Sequence, residues 1–539
     1  MSGSITLENR FGVNKMELIS LKYAIFVIVL LVLYYCFPKK YRWYVLLAGS
    51  MAYYVIICKW YVLFIIFTIC TTYGSTIWID KLLKKQNAIV KSHKEDWDRQ
   101  TRKEYKEKGR KKRVAVMLFA LLCNFGILAF LKYIPYAGEL GLLLPLGISF
   151  YTFQSMGYVM DVYREIVEPE KNFLKVALFV SFFPQIIQGP IAIYDKLAGQ
   201  LYEGHSLRLE NLQKGALLVL WGVMKKLVIA DRAVNIINFV MDKPMDFSGT
   251  YVFFAAVVYA LQLYADFSGG IDIVRGIAEM FGITMSTNFN HPYFSRSLTE
   301  YWHRWHMTLG DWCRNYIFYP LSISKRFPNF GKWLKPRFGA HISKVLPGCI
   351  ASVITFIVIG VWHGANMKYL YFGLWNGIVI MLAELFAPVN KKVAGGFFKL
   401  TGLREKGIFA TIVSVLWTFM LILVGYYFDI AANASTAFHM LFKSVTDFHI
   451  SELGINNIIL NLGACGLDEY DILLLIICTL LWFFISFVEE NKKLDMRDFI
   501  LSRKLPLRWA IIYLGIFIVI IFGYYGPGVN PADFVYMQF

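Results

Sequence analysis

Ala351-Ser352-Val353-Ile354-Thr355-Phe356-Ile357-Val358-Ile359-Gly360-Val361-Trp362-His363-Gly364-Ala365 is the stretch on which the fold turns. From 346 to 362 the chain carries no charge, and the run then ends on an imidazole. Length and apolarity together predict a membrane-spanning helix. Hydrocarbon solvates imidazole poorly, so a histidine at the end of such a run needs a polar neighbour or a path for water. His363 is on that ground a candidate functional residue. A second histidine block, Glu300-Tyr301-Trp302-His303-Arg304-Trp305-His306, lies upstream between apolar segments.

Outward from this stretch, the 539-residue chain is 57% hydrophobic with a mean hydropathy of +0.50, which excludes a soluble single domain. Repeated apolar runs of this kind cross a bilayer as helices, which satisfy their own backbone hydrogen bonds. The expected fold is all-α and polytopic, a single membrane domain over 1–539. Twelve spans are expected, at 17–37, 43–57, 61–79, 114–132, 142–162, 214–240, 251–280, 346–363, 367–388, 408–429, 471–488 and 509–525. The sixth carries Lys225-Lys226 in its middle, so it is expected to be broken or to line a wet cavity. Pro184, Gly189 and Pro190 make 174–195 read as a re-entrant element.

The net charge of +18 does not point to nucleic acid, because the bases gather in loops between apolar segments. The expected loop 80–113 is the densest of these, with 14 Lys/Arg against 5 Asp/Glu over 81–113. With twelve spans it shares one side with 320–345, 389–407 and 489–508. The positive-inside rule makes that side cytoplasmic, where the bases meet anionic lipid headgroups. Both termini and 430–470 then fall outside. The eight cysteines are scattered without CxxC or metal-type spacing and read as packing residues. Residues 1–15 are polar, and no cleavable signal is expected.

The densest polar region between spans begins at Gln262 and opens a funnel expected over 262–345. Asp272/Arg275 and Arg275/Glu279 stand at i,i+3 and i,i+4, spacing that suits mutual neutralisation. The region reads equally as a buried ion-pair network or as the wall of a polar tunnel. His303 and His306 would share a helix face, but no matching third and fourth ligand is evident, so no metal is expected. Trp302, Trp305 and Trp312 read as an interfacial belt or packing surface.

Leu298-Thr299-Glu300-Tyr301-Trp302-His303-Arg304-Trp305-His306, Arg314-Asn315-Tyr316-Ile317-Phe318-Tyr319-Pro320-Leu321 and Trp362-His363-Gly364-Ala365 resemble the membrane-bound O-acyltransferase (MBOAT) family. The resemblance is to its bacterial alginate O-acetylation and teichoic-acid D-alanylation branch. Pro145 to Gln154, Phe183-Pro184-Gln185 with Gln188-Gly189-Pro190, Asp266-Phe267-Ser268-Gly269 and Asn288-Phe289-Asn290 extend the likeness. It implies helices and re-entrant elements around a central tunnel. By position, His363 matches the family's essential membrane histidine and His306 a second polar position on the cytoplasmic-side funnel. Gln188, Asp266, Ser268, Asn290, Glu300, Arg304, Trp305 and Trp362 are the tunnel positions it implies. Three departures bear on donor or acceptor choice: His303 replaces a common arginine, Asn315 a common aspartate and Gly270 a usual aromatic.

O-acyl transfer needs a hydroxyl deprotonated as it attacks an activated carbonyl, and neutral imidazole suits that task near neutral pH. The resemblance implies a cytoplasmic thioester donor, such as acetyl-CoA or an acyl carrier protein, and no cofactor. His363 is expected to act as general base, with His306 orienting the donor or stabilising the oxyanion. The tail 526–539 ends in Phe534-Val535-Tyr536-Met537-Gln538-Phe539. This pattern resembles the acyl-carrying motif of the small partner peptide of teichoic-acid D-alanylation, which makes Tyr536 an expected carrier. The expected function is O-acylation, with acetyl favoured, of a cell-surface or secreted polysaccharide from the bacterial plasma membrane, with an extracytoplasmic SGNH-type transferase as partner. D-alanyl transfer to teichoic acid is a close alternative, and lipid acylation a weaker one. A transporter or flippase without covalent chemistry is the alternative of another class.

Overall fold

The computed structural model describes residues 16, 18–134, 138, 142, 144–402, 404–405, 407–454, 457–458, 463–526 and 534. All regular elements among them are helical. Seven helices are long and apolar enough to cross a membrane, or eight if Met367–Leu385 and Ala387–Thr401, bent by 66°, count as one span. The sequence had suggested twelve. The difference lies in short and broken elements: Leu21–Cys36 and Ile148–Tyr163 have 16 residues each. Lys39–Ser92 counts as one run, yet Lys59 takes φ 49° and separates Arg42–Cys58 from Val62–Ser92.

The segment expected as the loop 80–113 is mostly helix. Val62–Ser92 and Arg99–Tyr133 carry their apolar halves straight into the basic stretch. Lysine and arginine are good helix formers, and hydropathy registers only where the membrane ends. Asp98 starts the second helix by accepting from the backbone N–H of Thr101 and Gln100. Lys84 and Asp80 pair at 2.6 Å on the first.

The chain forms two compact units. The first comprises the described residues up to Val219 together with Gly270–Ser286. Ile148–Tyr163 is buried along almost its whole length there. The segment expected to be re-entrant forms two short buried helices, Phe173–Ser181 and Phe183–Gln188, broken just before Pro184. Gln185 donates to the Pro190 carbonyl at 2.8 Å. Asp272 and Arg275 pair at 3.5 Å, as their spacing suggested.

The second unit comprises Leu220–Gly269 and the described residues from Thr287 onward. Its elements include Arg326–His363, which breaks at Gly339 (φ 82°), and Met367–Leu385 packed against it. Ile408–Ile430, Glu469–Lys492 and Leu505–Phe522 complete its long apolar helices. None of the most apolar window of Leu505–Phe522 is buried, so its aliphatic side chains suit contact with lipid. By contrast 72% of that window in Gly249–Met280 is buried, which places the polar residues of this helix inside protein. The expected sixth span stays helical and widens locally at its lysine pair. Leu209–Met224 and Asp231–Met241 are joined by a π-turn, Lys225–Ala230.

Candidate active site

His306 occupies a corner of the second unit. Leu298–Arg304 begins at Ser297, whose hydroxyl accepts from Glu300 N–H, while the Glu300 carboxylate accepts from Arg296 N–H at 2.8 Å. The helix ends at Arg304, and Met307–Cys313 starts afresh after His306 in the left-handed conformation, φ 44°, ψ 52°. The break divides the two histidines of the expected pair. His303 stays on the first helix and is exposed, whereas His306 is buried.

Asn288 fixes the ring. Its side-chain oxygen accepts from Thr308 N–H at 3.1 Å and from the Thr308 hydroxyl at 2.9 Å, and it lies 3.2 Å from His306 Nδ1. A backbone N–H can only donate, so the atom facing Thr308 is the amide oxygen. An oxygen can only accept here, so His306 Nδ1 carries the hydrogen and Nε2 presents its lone pair. Burial first, and the neighbouring His363 second, hold this imidazole below the ordinary histidine range, so it is neutral. The edge of Phe267 meets the ring at 4.9 Å. The polarity of 288 was legible in the sequence, but its role as the clamp that sets a tautomer was not.

His363 is the last residue of its helix and is 9% exposed. Tyr369 stacks on its ring at 5.8 Å, and Phe372 meets it edge-on at 5.4 Å. Gly364 makes this possible: a Cβ there would lie 2.6 Å from the Tyr369 ring. Trp362 stands beside both imidazoles, 4.9 Å from His363 and 6.4 Å from His306 between ring centroids. Trp305 is 4% exposed and packs against Tyr301 and Phe289. Three of the expected residues thus gather round His306 or its flank: His363, Trp362 and Trp305.

The other expected residues are engaged elsewhere. Asp266 binds Lys226 at 2.7 Å, and the Ser268 hydroxyl accepts from Lys225 at 2.8 Å. Asp231 holds the same Lys226 at 2.7 Å. Arg304 bridges Glu300 at 2.7 Å and Glu490 at 3.0 Å. Asn290 is exposed, and its backbone N–H donates to the Arg304 carbonyl. Gln188 belongs to the first unit, fully buried against Gly270, where a Cβ would lie 2.1 Å from its oxygen. The space that an aromatic would need at 270 is therefore occupied by an amide. Tyr536 lies outside the described residues. A separate cleft of about 440 Å³ is lined by Lys332, Lys335 and Lys344 with Ser322 and Ser343. Among the described residues no cluster of metal-ligating side chains occurs.

Comparison with known proteins fits this arrangement. Residues 169–428 match the MBOAT, membrane-bound O-acyltransferase family, a range that contains His306, His363 and Asn288. The chain is 30% identical over 315 residues to the probable alginate O-acetylase AlgI of Pseudomonas syringae, covering 58% of this chain and 54% of that protein. It is 30% identical over 314 residues to the peptidoglycan O-acetyltransferase of Helicobacter pylori, covering 51% and 56% respectively. It is 26% identical over 290 residues to the teichoic acid D-alanyltransferase of Bacillus subtilis, covering 52% and 67%. The chain spans about half the length of the first curated relatives it matches. Over residues 169–428, the chain is thus similar to the membrane-bound O-acyltransferase family.

Proposed function

We propose that this chain is a membrane O-acyltransferase of the bacterial plasma membrane. It passes an acyl group, acetyl in the leading reading, from a cytoplasmic thioester donor to a cell-surface or secreted polysaccharide. The observation that carries this reading is a buried imidazole at His306, its Nδ1 held 3.2 Å from the Asn288 side-chain oxygen, with Trp362 standing beside both it and a second imidazole at His363. His363 removes the proton of the attacking hydroxyl. His306, with its hydrogen on Nδ1, offers a lone pair at Nε2. That suits accepting from an N–H of the donor, such as a pantetheine amide, and so orienting it. A neutral ring in this tautomer has no donor at Nε2 for an oxyanion, so of the two roles considered for His306 the orienting one is preferred.

Other features support the same scheme. Acetyl-CoA and a phosphopantetheinyl carrier both bear phosphate, which suits the cleft with Lys332, Lys335 and Lys344 in the basic stretch assigned to the cytoplasmic side. The Tyr536 hydroxyl attacks the thioester carbonyl, the acyl C–S bond breaks and the thiol leaves with the proton taken up by His363; the phenyl ester then hands the acyl group, through an extracytoplasmic SGNH-type transferase, to the polymer. Both termini lie outside on this reading. The likeness to a teichoic acid D-alanyltransferase keeps D-alanyl transfer from a carrier-protein thioester as the second reading. Mass spectrometry of surface glycans from cells with the wild-type chain and with His363→Ala tests the scheme. Loss of acetyl or D-alanyl esters is expected. Esters that persist with solute transport impaired would favour a transporter instead.

A further inference from the structure

The π-turn Lys225–Ala230 meets the C-terminal part of the chain at two places. Just beyond Leu505–Phe522, Tyr524 N–H donates to the Leu227 carbonyl at 2.9 Å. A π-turn loosens the helical ladder, and loosened carbonyls of this kind accept bonds from outside the helix. Arg232, on the next turn, donates to the Phe522 carbonyl at 3.1 Å and lies over the Tyr524 ring. Ten residues past Tyr524, Phe534 is only 5% exposed, and its ring lies over the Lys226 ammonium at 4.5 Å. That ammonium is itself buried between Asp231 and Asp266.

Gly526, Pro527, Gly528 and Pro531 are residue types that disfavour a helix, so the burial of Phe534 against one cation calls for a specific attraction. An aromatic face supplies it: the ring is apolar enough to stay buried, and its negative face stabilises a cation withdrawn from water. We propose that the π-turn is the docking site of the chain's own C-terminal tail, with Lys226 as the seat of Phe534. Phe534 is then a positioning residue for Tyr536, two residues further along; this last clause rests on the acyl-tyrosine reading above.

Digestion of the purified full-length protein in detergent with a carboxypeptidase, followed by intact mass, tests the docking. The wild type and Phe534→Trp, which keeps an aromatic face, should be trimmed slowly through the tail. Phe534→Leu, which keeps the apolar bulk and loses the ring, should be trimmed roughly tenfold faster at unchanged melting temperature. Equal trimming of Phe534→Leu and wild type would overturn the proposal. Tyr536→Phe separates it from the carrier reading, because the variant should resist trimming like wild type while losing label from a radiolabelled acyl donor. Label that survives Tyr536→Phe would sink the carrier role and leave the docking standing. Rapid trimming of Tyr536→Phe would count against Phe534 as the anchor.

Discussion

Two buried polar centres in the second unit are held by opposite means. Beside His306 stand an amide oxygen, itself bound by the Thr308 hydroxyl, and the aromatic ring of Phe267. Around Lys226 the partners are ionic: two carboxylates at 2.7 Å, with an aromatic face over the ammonium. One helix serves both, since Phe267 meets His306 while Asp266 and Ser268 on either side of it bind the lysines. The contrast separates what chemistry requires from what architecture requires. On the function proposed above, an imidazole that orients a donor needs a neutral setting with a lone pair available. A charge that joins two helix segments must never exchange a proton, so it is locked between opposite charges.

The sharpest way to break this comparison is at the proposed base. His363→Ala should lower acyl transfer by about 10²- to 10⁴-fold, the range of general-base catalysis, with the melting temperature little changed. Radiolabelled donor transfer to surface polymer measures it. At the ionic centre the signature should be reversed. Lys226→Met leaves two buried carboxylates facing each other and should destabilise the protein by about 3–5 kcal/mol. Adding Asp266→Leu to that variant should recover part of the loss, and a thermal-melt cycle of the two changes reads the coupling.

Asn288→Ala should fall between the two classes. It removes the oxygen that sets the His306 tautomer and orphans the Thr308 N–H, at a cost of about 1–3 kcal/mol in stability. Activity should fall too, which a purely structural amide would not require. A gentler test uses pH. The folded chain holds His306 below the ordinary value, so the unfolded chain binds a proton that the folded chain refuses. The stabilising contribution is present above the free-histidine value of about 6.5 and declines as pH falls below it. Melting temperature should therefore drop between pH 7 and pH 5 by more in wild type than in His306→Gln. The smallest effect is expected at Arg304, whose partly exposed pairs with Glu300 and Glu490 should give no more than about 1 kcal/mol on Arg304→Gln.

Much of this was legible in the chain because hydropathy and helix length are tightly linked. The span expected at 408–429 is the helix Ile408–Ile430, and that expected at 251–280 is Gly249–Met280. The π-turn at 225–230 falls where two lysines interrupt an apolar run. What could not be read is where helices outrun the bilayer, since Arg99–Tyr133 is helical through residues that hydropathy reads as loop. At the site, His306 and His363 were legible as types, and the family likeness supplied their pairing. The Asn288 clamp was not, because it depends on a turn that brings residue 288 against residues 306–308. Glu300 and Arg304, expected as tunnel positions, are engaged in helix capping and ion pairing, which their types alone did not specify.

The corner at His306 has a consequence for anyone who tries to improve this protein. A left-handed backbone disfavours a histidine by about 1 kcal/mol, while glycine and asparagine tolerate it. His306→Gly would relax the turn but empty the space between Phe267 and Trp362 and take away the Asn288 contact, a loss of about 2–5 kcal/mol that outweighs the gain. The ring itself therefore holds this backbone in its disfavoured conformation, and no heat-tolerance screen would remove it at little cost.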